Sequence, residues 1–376
     1  MTREQLIEDV HASAARMLLV VTGGGTQAIA DLLSLPGGSG TVLEAVVPYS
    51  IASLEQFLGG SCDQPCSART ARSLAMAAFQ RAQWLSGPQS DGAIMGVSCT
   101  ASLTTNRVKR GAHRAFVGVQ AEGYTSTATI DLDNRSRTRS QEERVVTDVI
   151  LNQVAGACQV HQWLDVALDA SRLTIEQIDA EPEWRQLLLA DRDCVLAGTN
   201  PSNPPNARRI VFPGAFDPRH TGHTQMAEFA ARRLGSVVEF ELSVENVDKP
   251  LLDYHSIANR LAPFAADETV WLTRAPTFVQ KSNLFPHTTF LVGADTILRI
   301  ADARYYGQDE QACCQAVKTI IERGCRFLVF GRMLSGKFVT LSELSLPGEL
   351  AAICDKVDRD AFRCDVSSTG IRQGNL

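Results

Sequence analysis

From Arg209 to Phe330 the chain alternates short apolar runs with helical patterns, and this alternation limits its architecture more than any other feature. RIVFPG, VVEFELSV, TVWLT, TTFLVG and RFLVFG read as strands, and the segments between them (HTQMAEFAARRL, SIANRLAPFA, QAVKTIIERG) place apolar residues at three and four spacing. Repeated strand–helix–strand units predict parallel strands covered by helices on both faces. The expected fold class is α/β with a doubly wound parallel sheet, whose ligands bind beyond the carboxyl ends of the strands.

At 376 residues the chain is longer than one hydrophobic core usually organises, so two domains are expected. The segment Ala197 to Ala207 (AGTNPSNPPNA) holds three prolines and three asparagines, which resist helix and central strand alike. Before it, Val160 to Leu196 reads as helices with a break at Glu181-Pro182. The first half offers credible strands in ARMLLVVTGGG, GTVLEAVVPYS, DGAIMGVSC and HRAFVGVQ, and a helix in SARTARSLAMAAFQRAQWL. The predicted organisation is an α/β domain over 1–158, a helical bridge and Pro/Asn-rich linker over 159–207, and the doubly wound domain over 208–376.

Thirty-six Lys and Arg against 42 Asp and Glu leave a net charge of −6, so no broad positive field draws the protein to nucleic acid or to an anionic membrane. No apolar run is long enough to cross a membrane, and a cytoplasmic protein is expected. Most of the ten cysteines, such as Cys158, Cys194, Cys325 and Cys354, sit in apolar segments, and buried reduced thiols are expected. Neither Cys62 with Cys66 nor Cys313 with Cys314 is answered by a second pair at zinc spacing, so no protein-held metal is expected.

The strand ending at Phe212 runs into Pro213-Gly214-Ala215-Phe216-Asp217-Pro218-Arg219-His220-Thr221-Gly222-His223, and an amphipathic helix follows at once. The strand delivers the chain to the carboxyl edge of the sheet, Gly214 allows close backbone approach, and the new helix presents free N–H groups to an anion. Two imidazoles three residues apart, His220 and His223, can then face one point on a phosphate chain, although a His-x-x-His taken alone is an ordinary helix-flanking pair. Near the C-terminus Ser367-Ser368-Thr369 precedes Gly370-Ile371-Arg372, where hydroxyls at a helix start cap amides or donate to phosphate and the arginine neutralises charge.

The first string carries the GxFDPxHxGH signature at Gly214, Phe216, Asp217, Pro218, His220, Gly222 and His223, and so resembles the nucleotidylyltransferase superfamily. Ser367, Ser368, Thr369 and Arg372 resemble that superfamily's ISSTxIR element, which binds the triphosphate of ATP. Gly293-Ala294-Asp295-Thr296 resembles the strand-end GxD of pyridine-nucleotide adenylyltransferases, and Asp295 equally suits the N-cap of the helix that follows. Lys249 departs from the usual PPHK context but is a candidate mobile cation, as Arg332 is for ATP contact. Trp271, Phe278 and Phe285 could stack on a nicotinamide ring or simply fill the core.

The resemblance implies direct adenylyl transfer, in which the phosphate of nicotinamide or nicotinate mononucleotide attacks the α-phosphorus of ATP and pyrophosphate leaves. His220, His223 and Lys249 would be catalytic. Gly214, Phe216, Asp217, Gly222, Gly293, Asp295, Arg332 and the C-terminal hydroxyls with Arg372 would form the nucleotide site. Mg²⁺ is expected on the ATP phosphates. An adenylyltransferase for phosphopantetheine or another phosphate is the alternative enzyme, and a noncatalytic pyridine-nucleotide sensor the alternative of a different class. A homo-oligomer is compatible with all three.

Residues 15 to 155 resemble the C-terminal domain of the CinA family, whose active members deamidate nicotinamide mononucleotide. The resemblance lies in Thr22-Gly23-Gly24-Gly25-Thr26, Leu35-Pro36-Gly37-Gly38-Ser39, Val47-Pro48-Tyr49-Ser50 and the helix Ala68 to Leu85. Thr22 stands where active relatives carry a serine, and Val21 where they carry an acid. A lysine expected after Tyr49-Ser50 falls near Leu54, and the glycine-rich segment becomes Val97-Ser98-Cys99-Thr100-Ala101-Ser102. Arg135, Arg137 and Arg139 could serve a phosphate or be solvated. A threonine nucleophile needs activating partners, and the departures predict an inactive or repurposed domain.

Overall fold

A computed structural model of the protein describes residues 1–87, 92–105, 111–133, 137–200, 208–247, 250–334, 336–366 and 368–372, the side chain of Thr369 excepted. The chain divides into two compact units: Met1–Leu188 with Asp248–Ser256, and Leu189–Val247 with Ile257–Leu376.

The first unit is built on six strands: β1 (Arg16–Thr22), β2 (Val42–Val46), β3 (Ile94–Ser102), β4 (His113–Ala121), β5 (Tyr124–Leu132) and β6 (Arg172–Asp179), in the order β2-β1-β3-β4-β5-β6. β1 runs parallel to both neighbours, whereas the β3–β4, β4–β5 and β5–β6 pairs are antiparallel. Its unbroken apolar sequence follows from burial on both faces. Met17, Leu19 and Val21 enter a core with Leu6, Val10, Ala28, Val146 and Ile150, and the alternate residues Leu18 and Val20 enter another with Leu54, Leu58, Leu74 and Ala78.

The second unit holds β7 (Cys194–Leu196), β8 (Ile210–Pro213), β9 (Val238–Ser243), β10 (Val270–Thr273), β11 (Thr289–Gly293), β12 (Arg326–Phe330), a hairpin of β13 (Arg332–Leu334) with β14 (Lys337–Val339), and β15 (Cys354–Lys356). The main sheet has the order β15-β12-β11-β8-β9-β10-β7. All its pairs are parallel except β10–β7. This is the expected doubly wound α/β fold. From β8 the chain builds outward through β9 and β10, then returns to lay β11, β12 and β15 on the other side, so the order reverses between β8 and β11. β8 pairs with β9 through all of Ile210–Pro213 but with β11 only through Ile210 and Val211. The two central strands therefore part toward their carboxyl ends, which opens a crevice at the switch point, where such sheets bind ligands.

Two elements correct the reading of the sequence. Val160–Leu196 is not a run of helices: it contains β6, the short helix Pro182–Leu188 and β7. Leu173, Thr174 and Ile175 pair with Ile130, Thr129 and Ala128, because β-branched residues on a half-buried edge favour the pleat over the helical spacing that the sequence also allows. Phe362–Asp365 forms no strand, and the last parallel strand is instead Cys354–Lys356, which pairs with Phe327–Val329. Among the described residues no helix is long and apolar enough to cross a membrane. None of the ten cysteines forms a disulfide, and burial pushes the Cys158 and Cys194 thiols up to about 11 and Cys354 to about 12.

Candidate active site

The turn after β8 is set by aromatic packing. Phe216 adopts φ 44°, a left-handed conformation that costs a non-glycine residue about 1 kcal/mol or more. Its ring is buried against Phe212, His223, Phe240 and Phe264, all edge-on at centroid distances of 5.1–5.7 Å, and this packing offsets the cost. The turn is also tied to β9, since the Gly214 N–H donates to the Glu241 carbonyl at 2.9 Å.

His220 then caps the helix Thr221–Leu234 in an extended conformation, and its backbone N–H donates to Nδ1 of His223 at 3.2 Å. Because Nδ1 accepts, a neutral His223 carries its proton on Nε2 and offers an N–H donor there. The two imidazoles stack with centroids 3.7 Å apart. Burial, then the charges of His220, Arg332 and Arg219, push the His223 pKa down to about 3. Burial and Arg332 also lower that of His220, so both rings are neutral at pH 7. The Nδ1 of His220 is buried without a hydrogen-bond partner among the described residues. Gly222 is required here, because a Cβ would lie 2.7 Å from Cys364 Sγ and 3.0 Å from the His220 ring.

Elements on the far side of the crevice converge on the same turn. β11 ends at Gly293, where a Cβ would come within 2.5 Å of Asp295 Oδ1 and 2.8 Å of Arg332 Nε; Asp295 and Arg332 themselves stand 3.9 Å apart. Arg332 lies just after β12 and also donates to the Val366 carbonyl at 3.5 Å. In the helix Ser368–Arg372, Ser368 donates to the Pro218 carbonyl at 3.0 Å and Arg372 to the Asp217 carbonyl. The Asp217 carboxylate stands between Arg260 at 3.6 Å and Arg372 at 3.8 Å, and Arg260 donates to the Ala215 carbonyl at 3.1 Å.

The structure thus brings together Gly214, Phe216, Asp217, His220, Gly222, His223, Gly293, Asp295, Arg332, Ser368 and Arg372. Thr369 lies in the final helix, while Lys249 and Ser367 fall outside the described residues. Trp271, Phe278 and Phe285 belong to the core: Trp271 donates to Glu239 at 2.6 Å, Phe278 packs on Phe290 and Phe327, and Phe285 is fully buried. Sequence reasoning missed Arg260 and the Arg219–Glu268 pair, whose forked bonds both measure 2.5 Å.

In the first unit, the residues singled out from the sequence are engaged with the protein. The Thr22 hydroxyl is buried and donates to the Pro48 carbonyl at 2.9 Å. The amides of Gly25 and Thr26 donate to Glu143 at 2.7 and 2.8 Å. Arg139 donates to the Gly23 carbonyl at 2.7 Å, and Arg137 to Ser171, Asp169 and the carbonyls of Ala167 and Leu168. Arg135 lies outside the described residues.

No curated protein matches the chain. Its N-terminal half matches solved structures of the CinA superfamily. One is the competence/damage-inducible protein CihA from Agrobacterium tumefaciens, at 16% identity and TM-score 0.32 over 42% of this chain and 92% of that one. Another, from Enterobacter asburiae, gives 14% and 0.31 over 42% and 95%. A third, a CinA superfamily protein from Escherichia coli, gives 14% and 0.30 over 42% and 88%. The segment that bears the histidine pair, the GxD turn and the Ser/Arg helix is also the segment that a family model matches: residues 211–374 are similar to the cytidylyltransferase-like family.

Proposed function

We propose that the second unit transfers the adenylyl group of ATP to nicotinamide or nicotinate mononucleotide, giving NAD or its deamido form and pyrophosphate. The observation that carries this reading is the stacked, neutral pair His220 and His223 at the mouth of the β8/β11 crevice, within reach of the Arg332 field and beside the Asp295 turn. A phosphate oxygen of the mononucleotide forms a bond to the α-phosphorus while the bond to the bridging oxygen of pyrophosphate breaks. The attacking phosphate is already ionised, so the protein's work is alignment and charge stabilisation. His223 offers its Nε2–H, and His220 the imidazole stacked on it at 3.7 Å, to oxygens on which negative charge builds. Arg332 and Arg372 neutralise the phosphates, with Ser368 donating beside them once released from the Pro218 carbonyl.

Mg²⁺ supplies further charge neutralisation in this reading and enters on the ATP phosphates. The carboxylates at hand do not form a cage for it, since Asp217 is held by Arg260 and Arg372 and Asp295 faces Arg332. The choice of a pyridine mononucleotide rests on the resemblance of Gly293-Ala294-Asp295-Thr296 to the strand-end turn of pyridine-nucleotide adenylyltransferases and on the CinA-like character of the first domain. Incubation with ATP, Mg²⁺ and, in turn, each pyridine mononucleotide and phosphopantetheine tests it. Pyrophosphate should appear with a pyridine mononucleotide, and turnover with phosphopantetheine alone overturns the substrate assignment.

A further inference from the structure

We propose that Arg219, between the cis-linked Pro218 and His220, is a positioning residue that sets the aim of both histidines. Its side chain is 9% exposed, and both terminal nitrogens and both faces of its guanidinium are engaged within the second unit. The two terminal nitrogens fork onto Glu268 at 2.5 Å each, and one also donates to the Pro263 carbonyl at 3.1 Å. The faces of the group lie over Phe240 and Phe264, at 4.8 and 4.4 Å from the ring centroids. Its Nε is buried without an acceptor among the described residues, so the fork and the two rings, and not a full set of hydrogen bonds, hold the group in place.

The same two rings pack edge-on against Phe216, which in turn packs against His223. Residues 216 and 219 are thus fixed to one aromatic layer, and His220, the next residue, directs its N–H to His223 Nδ1. That hydrogen bond selects the His223 tautomer with Nε2–H. Glu268 is oriented by accepting the Ala265 N–H at 2.8 Å, so the fork has a rigid partner 49 residues away. A bidentate, ring-stacked arginine cannot be replaced by lysine without loss, because an ammonium has neither the plane nor the fork. Displacements of about 1 Å at a reacting group are enough to cost on the order of a hundredfold in rate.

The proposal rests on the adenylyl-transfer reading for its kinetic consequence but not for its structural one. The test compares the full chain with Arg219→Met, Arg219→Lys, Glu268→Gln and the Arg219→Met/Glu268→Gln double variant, by steady-state kinetics with ATP and nicotinamide mononucleotide and by ¹⁵N NMR of the histidine rings without ligand. Arg219→Met should lower kcat at least tenfold and change KM for ATP less than twofold, since the Arg219 guanidinium is taken up by Glu268, the Pro263 carbonyl and two rings. The double variant should be no slower than Arg219→Met alone, because fork and partner act as one unit. Arg219→Lys should recover only part of kcat. His223 should be the Nε2–H tautomer in the parent and a mixture in Arg219→Met. Unchanged kcat in a folded Arg219→Met protein, or an unaltered tautomer, overturns the proposal. If Arg219→Met does not fold, Arg219→Lys carries the same two readouts. A parent protein without pyrophosphate release refutes the function proposed above, and the tautomer comparison still decides the role of Arg219.

Discussion

The glycine-bearing turns that follow β1 and β8 begin from the same situation and end in opposite ones. Each leaves a strand with parallel neighbours on both sides, and each presents backbone donors beyond the sheet edge. In the first unit the turn is closed from within: Glu143 accepts from the amides of Gly25 and Thr26, the Thr22 hydroxyl donates to the Pro48 carbonyl, and Arg139 donates to the carbonyls of Gly23 and Thr104. In the second unit Asp295 and Arg332 stand 3.9 Å apart, beyond hydrogen-bond distance, beside a stacked pair of neutral imidazoles. Polar groups that satisfy one another stabilise a fold, while groups held in place but unsatisfied are available to a ligand. On this contrast the turn after β1 is closed by the chain's own side chains, and the proposed transfer belongs to the second unit.

If that contrast is right, damage to the first unit should register as lost stability and damage to the second as lost chemistry. The largest expected effect is Arg72→Ala, which strands the buried carboxylate of Asp253, 3.2 Å from the guanidinium and within the first unit; it should cost about 3–5 kcal/mol in denaturant unfolding of that unit. His220→Ala should come next, lowering adenylyl transfer on the order of a hundredfold with the melting profile retained, as loss of a transition-state donor does. Equal turnover in that variant would remove His220 from the mechanism.

The third effect is one of pH. His223 takes up a proton near 6.5 when unfolded but only near 3 when folded, so its contribution to stability is complete above about pH 6.5 and is lost as pH falls toward 3. Unfolding of the second unit followed between pH 7 and 4 should show this loss, and His223→Gln should flatten it; a parallel pH dependence in the variant would mean that another group is responsible. The smallest effect belongs to Glu143→Gln, which weakens the charge-assisted contacts to Gly25 and Thr26 and should cost about 1 kcal/mol in the first unit without altering adenylyl transfer. A drop in transfer would show that the two units do not divide the work as described.

What the sequence disclosed of this site was what lies close together along the chain. Gly214 to His223 is one contiguous string across a strand–helix junction, and Ser368 with Arg372 lies within a single helix, so both could be recognised from spacing. Arg260 and Glu268 could not, because their partners at Ala215 and Arg219 lie 45 and 49 residues away and their local context is that of an ordinary helix and an ordinary turn. The fold was legible where strands are buried on both faces and read as unbroken apolar runs, as β1, β11 and β12 do. It was misread at β6, where Arg172–Asp179 mixes charged and branched residues on an exposed edge and only pairing with β5 decides in favour of strand. Tertiary pairing overrode local pattern there, as it did for Cys354–Lys356, three residues too short to show a period.

The most direct test of the division between the two units is a single incubation of the full chain with ATP, Mg²⁺ and nicotinamide mononucleotide, with pyrophosphate and ammonia measured together. Adenylyl transfer by the second unit and a closed site in the first predict pyrophosphate accumulating with the dinucleotide and no ammonia. Ammonia released without pyrophosphate would contradict the account, since it would place the chemistry at Thr22 and its loop and leave the histidine pair without a reaction.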